Sequence, residues 1–194
     1  MPAIAVLNGE VHLLSGSYLT SWEAYSPVSR TWRDMWPNLR QGRVYACAAV
    51  VRNTIYVLGG QTVENKAGVA DCEMIDSGRQ CWVRISPMQV GRTLFACVVL
   101  EGEIYVVGGQ TDGVKTGHCE KYNPSKGTWT RLPDLLVPRR GHVAVVIEQV
   151  VFVIGGETET AEWLDMEEGF RGEINALGWR KEKGESSKIC AWPR

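Results

Sequence analysis

Several signatures that would fix a chemistry or a compartment are missing from these 194 residues. No two cysteines stand in a C-x-x-C pair, and there are only three histidines, His12, His118 and His142. A zinc site therefore has no ligand spacing to support it. No Asn-X-Ser/Thr acceptor occurs, and no apolar run approaches the 18 or so residues needed to span a bilayer. The short apolar stretch from Ala3 to Leu7 has no basic flank and runs into Glu10, which makes it a poor signal peptide. Basic residues number 21 against 22 acidic ones, so the chain lacks the positive surplus that nucleic acid selects. No convincing amphipathic helix can be drawn. These absences lead us to expect a cytoplasmic protein without metal or other cofactor, with no nucleic-acid partner and no membrane span.

Glycine and tryptophan, by contrast, are abundant, at 21 and 8 residues. Many glycines beside only 8 prolines point to frequent tight turns. The glycines also mark an internal repeat. Ser15-Gly16, Gly59-Gly60, Gly108-Gly109 and Gly155-Gly156 each end an apolar run, and their second residues lie 44, 49 and 47 positions apart. A glutamate follows in every copy, at Glu23, Glu73, Glu120 and Glu162. Two residues later come Tyr25, Ile75, Tyr122 and Leu164, then the turn formers Ser26, Asp76, Asn123 and Asp165. Nine residues after the glutamate stands Trp32, Trp82 or Trp129, with Arg171 in that place in the fourth copy. An arginine precedes a small apolar strand at Arg43, Arg92 and Arg140; the first repeat begins inside this strand, at Ala3, without its arginine.

Three marks in one phase across four copies resemble the kelch motif over residues 3 to about 166. The resemblance implies an all-β propeller whose blades are four antiparallel strands, a to d. The repeats divide at about 1–43, 44–92, 93–140 and a degenerate 141–168; residues 169–194 read as a divergent, disordered tail. Four blades without a shared closing blade predict an open arc with exposed sandwich faces. Strands a and b are apolar at successive positions, as expected of sheets covered on both sides. Trp32, Trp82 and Trp129 share one repeat position and are expected in the core. Cys47 and Cys97 are aligned with Ala144, and Cys72 and Cys119 with Ala161, places that read as thiols packed in the interior.

Function in a repeat protein sits where equal units differ. From second glycine to glutamate the b–c loop measures 7, 13, 11 and 6 residues. The two long loops offer Asn65, Lys66, Asp112, Lys115 and His118, and the family places Arg43, Arg92 and Arg140 on the same face. These residues are the candidates for holding a protein target, such as an acidic peptide motif. No catalytic residue is assigned. The resemblance implies the target-recognition propeller of a cullin-RING ubiquitin ligase adaptor, although neither a BTB nor an F-box segment is present. An actin-associated kelch protein is the second reading. An enzyme is the third: kelch-fold sialic-acid mutarotases use polar channel residues, and copper oxidases use histidines, which here fall at unrelated repeat phases.

Overall fold

A computed structural model describes residues 1–76, 78–158, 160–165 and 171–175. Blade 1 comprises β1 (Ala3–Leu7), β2 (Glu10–Leu14), β3 (Trp22–Ser26) and β4 (Thr31–Asp34). Blade 2 comprises β5 (Cys47–Val51), β6 (Thr54–Leu58), β7 (Cys72–Asp76) and β8 (Cys81–Ile85). In blade 3, β9 (Ala96–Leu100) and β10 (Glu103–Val107) are followed by a small ribbon, β11 (Gln110–Thr111) and β12 (Val114–Lys115). The blade is completed by β13 (Cys119–Asn123) and β14 (Thr128–Leu132). Blade 4 has β15 (Val143–Ile147), β16 (Val150–Ile154), β17 (Thr160–Asp165) and β18 (Arg171–Asn175). Every blade is an antiparallel meander in chain order, the four-bladed propeller arrangement that the repeat implies.

Three apolar cores lie between consecutive blades. Leu14, Trp22, Ile55 and Val57 join blades 1 and 2; Leu58, Cys72, Ile104 and Val106 join blades 2 and 3; Val107, Cys119, Val151 and Val153 join blades 3 and 4. The b strands of the two inner blades are buried from Ile55 to Leu58 and from Ile104 to Val107, because both of their faces meet another sheet. The outer blades show the opposite. On β1, Ile4 and Val6 are exposed, and on β15 so are Val143, Val145 and Ile147. Blades 1 and 4 thus each present one uncovered sheet face, as expected of an open arc.

The double glycines are required where the chain leaves strand b. Gly60 and Gly109 have φ of +94° and +101°, and a Cβ on either would stand 2.7 Å from the carbonyl oxygen of Val44 or Thr93. Both the left-handed backbone and the close approach exclude a side chain. At the inner rim, single backbone bonds stitch the blades: Tyr45 N–H to Met1 O, Leu94 N–H to Tyr45 O and Gly141 N–H to Leu94 O.

Three expectations need correction. Residues 171–175 form a paired strand, inside the segment expected to be disordered, since ladder bonds come from the backbone and do not need the missing tryptophan. The remainder of that tail, 176–194, lies outside the described residues. Trp32 is 53% exposed whereas Trp82 is 2% exposed, because Trp82 packs against blade 1 while no blade among the described residues covers Trp32. Trp82 Nε1 donates to Pro37 O and Trp129 Nε1 to Ser86 O, both on the preceding blade. Finally, Cys97 pairs with Val106 as Ala48 pairs with Val57, so Cys97 shares a position with Ala48 and Ala144, and Cys47 lies one residue earlier in phase. That offset turns the two thiols towards each other across the core of blades 2 and 3, where Cys47 Sγ donates to Phe95 O and Cys97 Sγ to Ala48 O.

Candidate functional site at the loop face

Strand alternation puts the b–c loops and the d–a connections on one face of the arc. The arginines that open strand a were expected to project there, and two of them do not. Arg43 and Arg92 are 2% and 0% exposed. Arg92 Nη1 donates to Gly108 O and His118 O at 3.0 and 2.6 Å, and Nη2 meets Glu120 Oε1 at 2.6 Å. Arg43 makes the same fork to Gly59 O, Asp71 O and Glu73. In blade 4 the socket holds Arg139, which reaches Gly155 O, Thr160 O and Glu162. Each glutamate also accepts a backbone N–H from the preceding d–a connection: Arg40 to Glu73, Gln89 to Glu120, and Leu136 with Val137 to Glu162. The repeat arginine is therefore a structural clamp between the two glycine-side carbonyls and a buried carboxylate, and Arg43 and Arg92 cannot touch a partner.

Arg140 is the exception, being the second residue of an arginine doublet. It is one-third exposed at the rim, with Nη1 on Gln110 Oε1 at 2.5 Å and Nη2 on Glu157 Oε1 at 3.1 Å. Lys115, on the ribbon of blade 3, reaches the other oxygen of Glu157 at 2.8 Å. These two cations hold the Glu157 carboxyl below its usual range. One carboxylate thus serves two cations, leaving a positive charge over between blades 3 and 4. Lys66 lies 3.8 Å above the Tyr18 ring, joining the loops of blades 1 and 2. Asn65 and Asp112 are exposed, and the Asp112 N–H bonds Ala67 O, so the long loops of blades 2 and 3 support each other.

Sequence reading missed the apolar part of this face. Leu19, Val63 and Val114 each stand exposed, one on the b–c loop of each of the first three blades. A signal was available for Leu19 and Val114, each a single aliphatic residue inside an otherwise polar loop, but not for Val63, whose loop also holds Val69. His118 is only partly exposed and does not face the rim cations; its Nε2 takes Arg131 Nη1 at 2.6 Å, and Arg131 is held by Asp134. Burial and the adjacent guanidinium lower its pKa. Among the described residues no three His, Cys, Asp or Glu side chains gather as a metal site would need.

Two ionisation effects are directly testable. His142 is packed against blade 3 with Nε2 on Val107 O, and burial depresses its pKa from 6.5 to about 4. The unfolded chain then binds more protons than the folded one, so stability is complete above pH 6.5 and falls as the pH drops towards about 4. The loss contributed by this residue approaches roughly 3 kcal/mol. Urea titrations at pH 7 and 4.5 should show this, with a shallower pH slope for His142→Gln. Burial likewise pushes the Cys72 and Cys119 thiols up to about 12 and about 11. Neither should react with a disulfide reagent at neutral pH until the protein is unfolded, by counting thiols before and after denaturant.

Comparison with known proteins agrees with this geometry. The profile of the KLHDC2/KLHL20/DRC7 Kelch-repeats domain matches residues 9–171. Kelch-like protein 26 of Danio rerio is 37% identical over 67 residues, which is 33% of this chain and 11% of that protein. Kelch-like protein 26 of Homo sapiens is 28% identical over 107 residues, 53% of this chain and 17% of that protein. The chain therefore spans only a small part of the length of these curated relatives. In shape it is similar to the solved structure titled "Structure of YjhT", with a TM-score of 0.78 and 18% identity, covering 89% of this chain and 64% of that one. At that identity the likeness speaks for the fold alone. With clamp, double glycine and blade order all in one phase, and the profile covering most of its length, the chain belongs to the kelch-repeat family of β-propellers.

Proposed function

We propose that this chain is a non-catalytic recognition module that holds a protein target on its b–c loop face, as the target-binding propeller of a cytoplasmic ubiquitin ligase adaptor does. The observation that carries this reading is the shared carboxylate of Glu157 between Lys115 and Arg140. A pair of cations, each about one-third exposed, with one counter-charge between them favours a second carboxylate from outside. Leu19, Val63 and Val114, exposed on the b–c loops of blades 1 to 3, supply aliphatic contacts that a protein target can cover and a small polar ligand cannot. Its five described cysteines are free thiols, which suits a reducing compartment. The adaptor role extends from the kelch family and from the named relatives, and the rest of an adaptor would come from other segments or subunits.

The test is an array of acidic peptides with interspersed hydrophobic residues, probed with the purified chain. Binding is expected to weaken with salt and to fall at least tenfold in the Lys115→Glu, Arg140→Glu double variant, with an unchanged thermal midpoint. Indifference to both substitutions would move the site elsewhere. Capture of a sialic acid in a sugar screen, in place of peptides, would favour the enzyme reading.

A further inference from the structure

At each blade junction the a strands of two neighbouring blades meet side chain to side chain. Alternation turns the first residue of β5 towards blade 3 and the second residue of β9 back towards blade 2. Those residues are Cys47, in register with Leu58, and Cys97, in register with Val106. The equivalent pair between blades 1 and 2 is Ala3 with Ala48, and between blades 3 and 4 it is Ala96 with Ala144. Alanine therefore satisfies the packing at both neighbouring junctions, and the middle one carries two thiols instead. Their hydrogen bonds cross: Cys47 Sγ donates to Phe95 O at 3.0 Å and Cys97 Sγ to Ala48 O at 3.3 Å, so each sulfur lies against the other's strand. The Cys97 thiol, as a hydrogen-bonding neighbour, and then burial hold the Cys47 thiol well above its usual pKa. Both residues are only partly buried, whereas Cys72 and Cys119 are fully so. Cys72 borders the same core but lies two strands out from Cys47, about 9–10 Å away and beyond bridging reach.

We propose that Cys47 and Cys97 form an oxidation site, at which a hydroperoxide converts the facing thiols into a disulfide joining strand a of blade 2 to strand a of blade 3. Cys47 keeps its proton, so Cys97 meets the oxidant. The Cys97 sulfur attacks one peroxide oxygen. An S–O bond forms as the O–O bond breaks, and the departing hydroxide takes the Cys97 proton as water, leaving a sulfenic acid. The Cys47 sulfur then attacks the Cys97 sulfur. The S–S bond forms, the S–O bond breaks, and the hydroxyl leaves with the Cys47 proton as a second water. Two thiols have lost two electrons and one peroxide has gained them. Because the second thiol is already in place, this step is intramolecular and outruns further oxidation of the sulfenic acid. The bond ties residues 50 positions apart. It restricts the unfolded chain, so the oxidised protein is the more stable form, and a thiol reductant restores the starting state. The site belongs to a blade junction and does not depend on the loop-face reading.

The test is hydrogen peroxide added to the full chain, read by intact mass, peptide mapping and thermal unfolding. The protein should lose two hydrogens in mass, and its thiols counted in denaturant should fall from six to four. Digestion should yield one pair of peptides joined through Cys47 and Cys97. The thermal midpoint should rise by roughly 5–15 °C for a closed loop of this length, and return on adding dithiothreitol. Cys47→Ala and Cys97→Ala place in this junction the alanines of its neighbours, so both should keep the circular dichroism spectrum of the parent and lose the cross-link. In Cys47→Ala the reaction should stop at a sulfenic acid on Cys97, which dimedone traps. A cross-link mapped to Cys81 or Cys190, oxygen addition without a cross-link, six thiols retained after treatment, or an oxidised form no more stable than the reduced one would each overturn the proposal.

Discussion

Arg92→Ala should unfold blade 3, at a cost of about 3–5 kcal/mol, the range for removing one member of a buried ion pair. The Arg92 and Glu120 side chains are both fully buried, and the guanidinium also satisfies Gly108 O and His118 O. Without it, the buried Glu120 carboxylate loses its counter-charge and keeps only the Gln89 N–H, and the carbonyls of Gly108 and His118 lose their guanidinium donor. Against the usual total of about 5–15 kcal/mol, such a loss brings the folded state close to its limit. Arg92→Lys should fall between, because it keeps the charge and loses the fork. Replacing both members, in Arg92→Met with Glu120→Leu, should cost less than Arg92→Ala alone, since no orphaned charge remains. Arg140→Ala is the contrast: its partner Glu157 is half exposed, so the change should stay within about 1 kcal/mol. Urea denaturation followed by circular dichroism measures all four. A loss below about 1 kcal/mol for Arg92→Ala would sink the clamp.

The clamp also shows what the sequence disclosed and what it hid. Blade number, strand order and the turn positions followed from the double glycine, the glutamate and the tryptophan, because these marks recur in one phase along the chain. The arginine did not, since two adjacent arginines, Arg139 and Arg140, competed for one place. Spacing could have decided between them. Arg43 to Gly59, Arg92 to Gly108 and Arg139 to Gly155 are all 16 residues, whereas the distance to the glutamate varies with the loop. The ribbon β11–β12 was likewise announced by Asp112-Gly113, a turn pair with φ of +53° and +78°. The cation pair on Glu157 was not legible at all. It joins the b–c loops of blades 3 and 4, and no periodicity within one repeat specifies which loop side chains of two blades meet. Nor could a shared repeat position reveal burial, since burial depends on whether a neighbouring blade is there.

Trp82→Ala and Trp32→Ala should separate on that last point, despite identical places in the repeat. Trp82 packs edge-on against Trp22 at 5.4 Å and donates to Pro37 O, so truncation leaves a cavity between blades 1 and 2 and an acceptor without its donor. Loss of a buried tryptophan of this kind costs about 3–5 kcal/mol. Trp32 touches Tyr25 in its own blade and is otherwise open to water, so its removal should cost under about 1 kcal/mol. The two tryptophans therefore report whether blade 1 has a neighbour on its outer side. In the isolated chain, acrylamide should quench Trp32 strongly and Trp82 weakly, each read in a variant lacking the other. Equal destabilisation by both substitutions, with Trp32 shielded from the outset, would mean instead that the arc is already closed over that face.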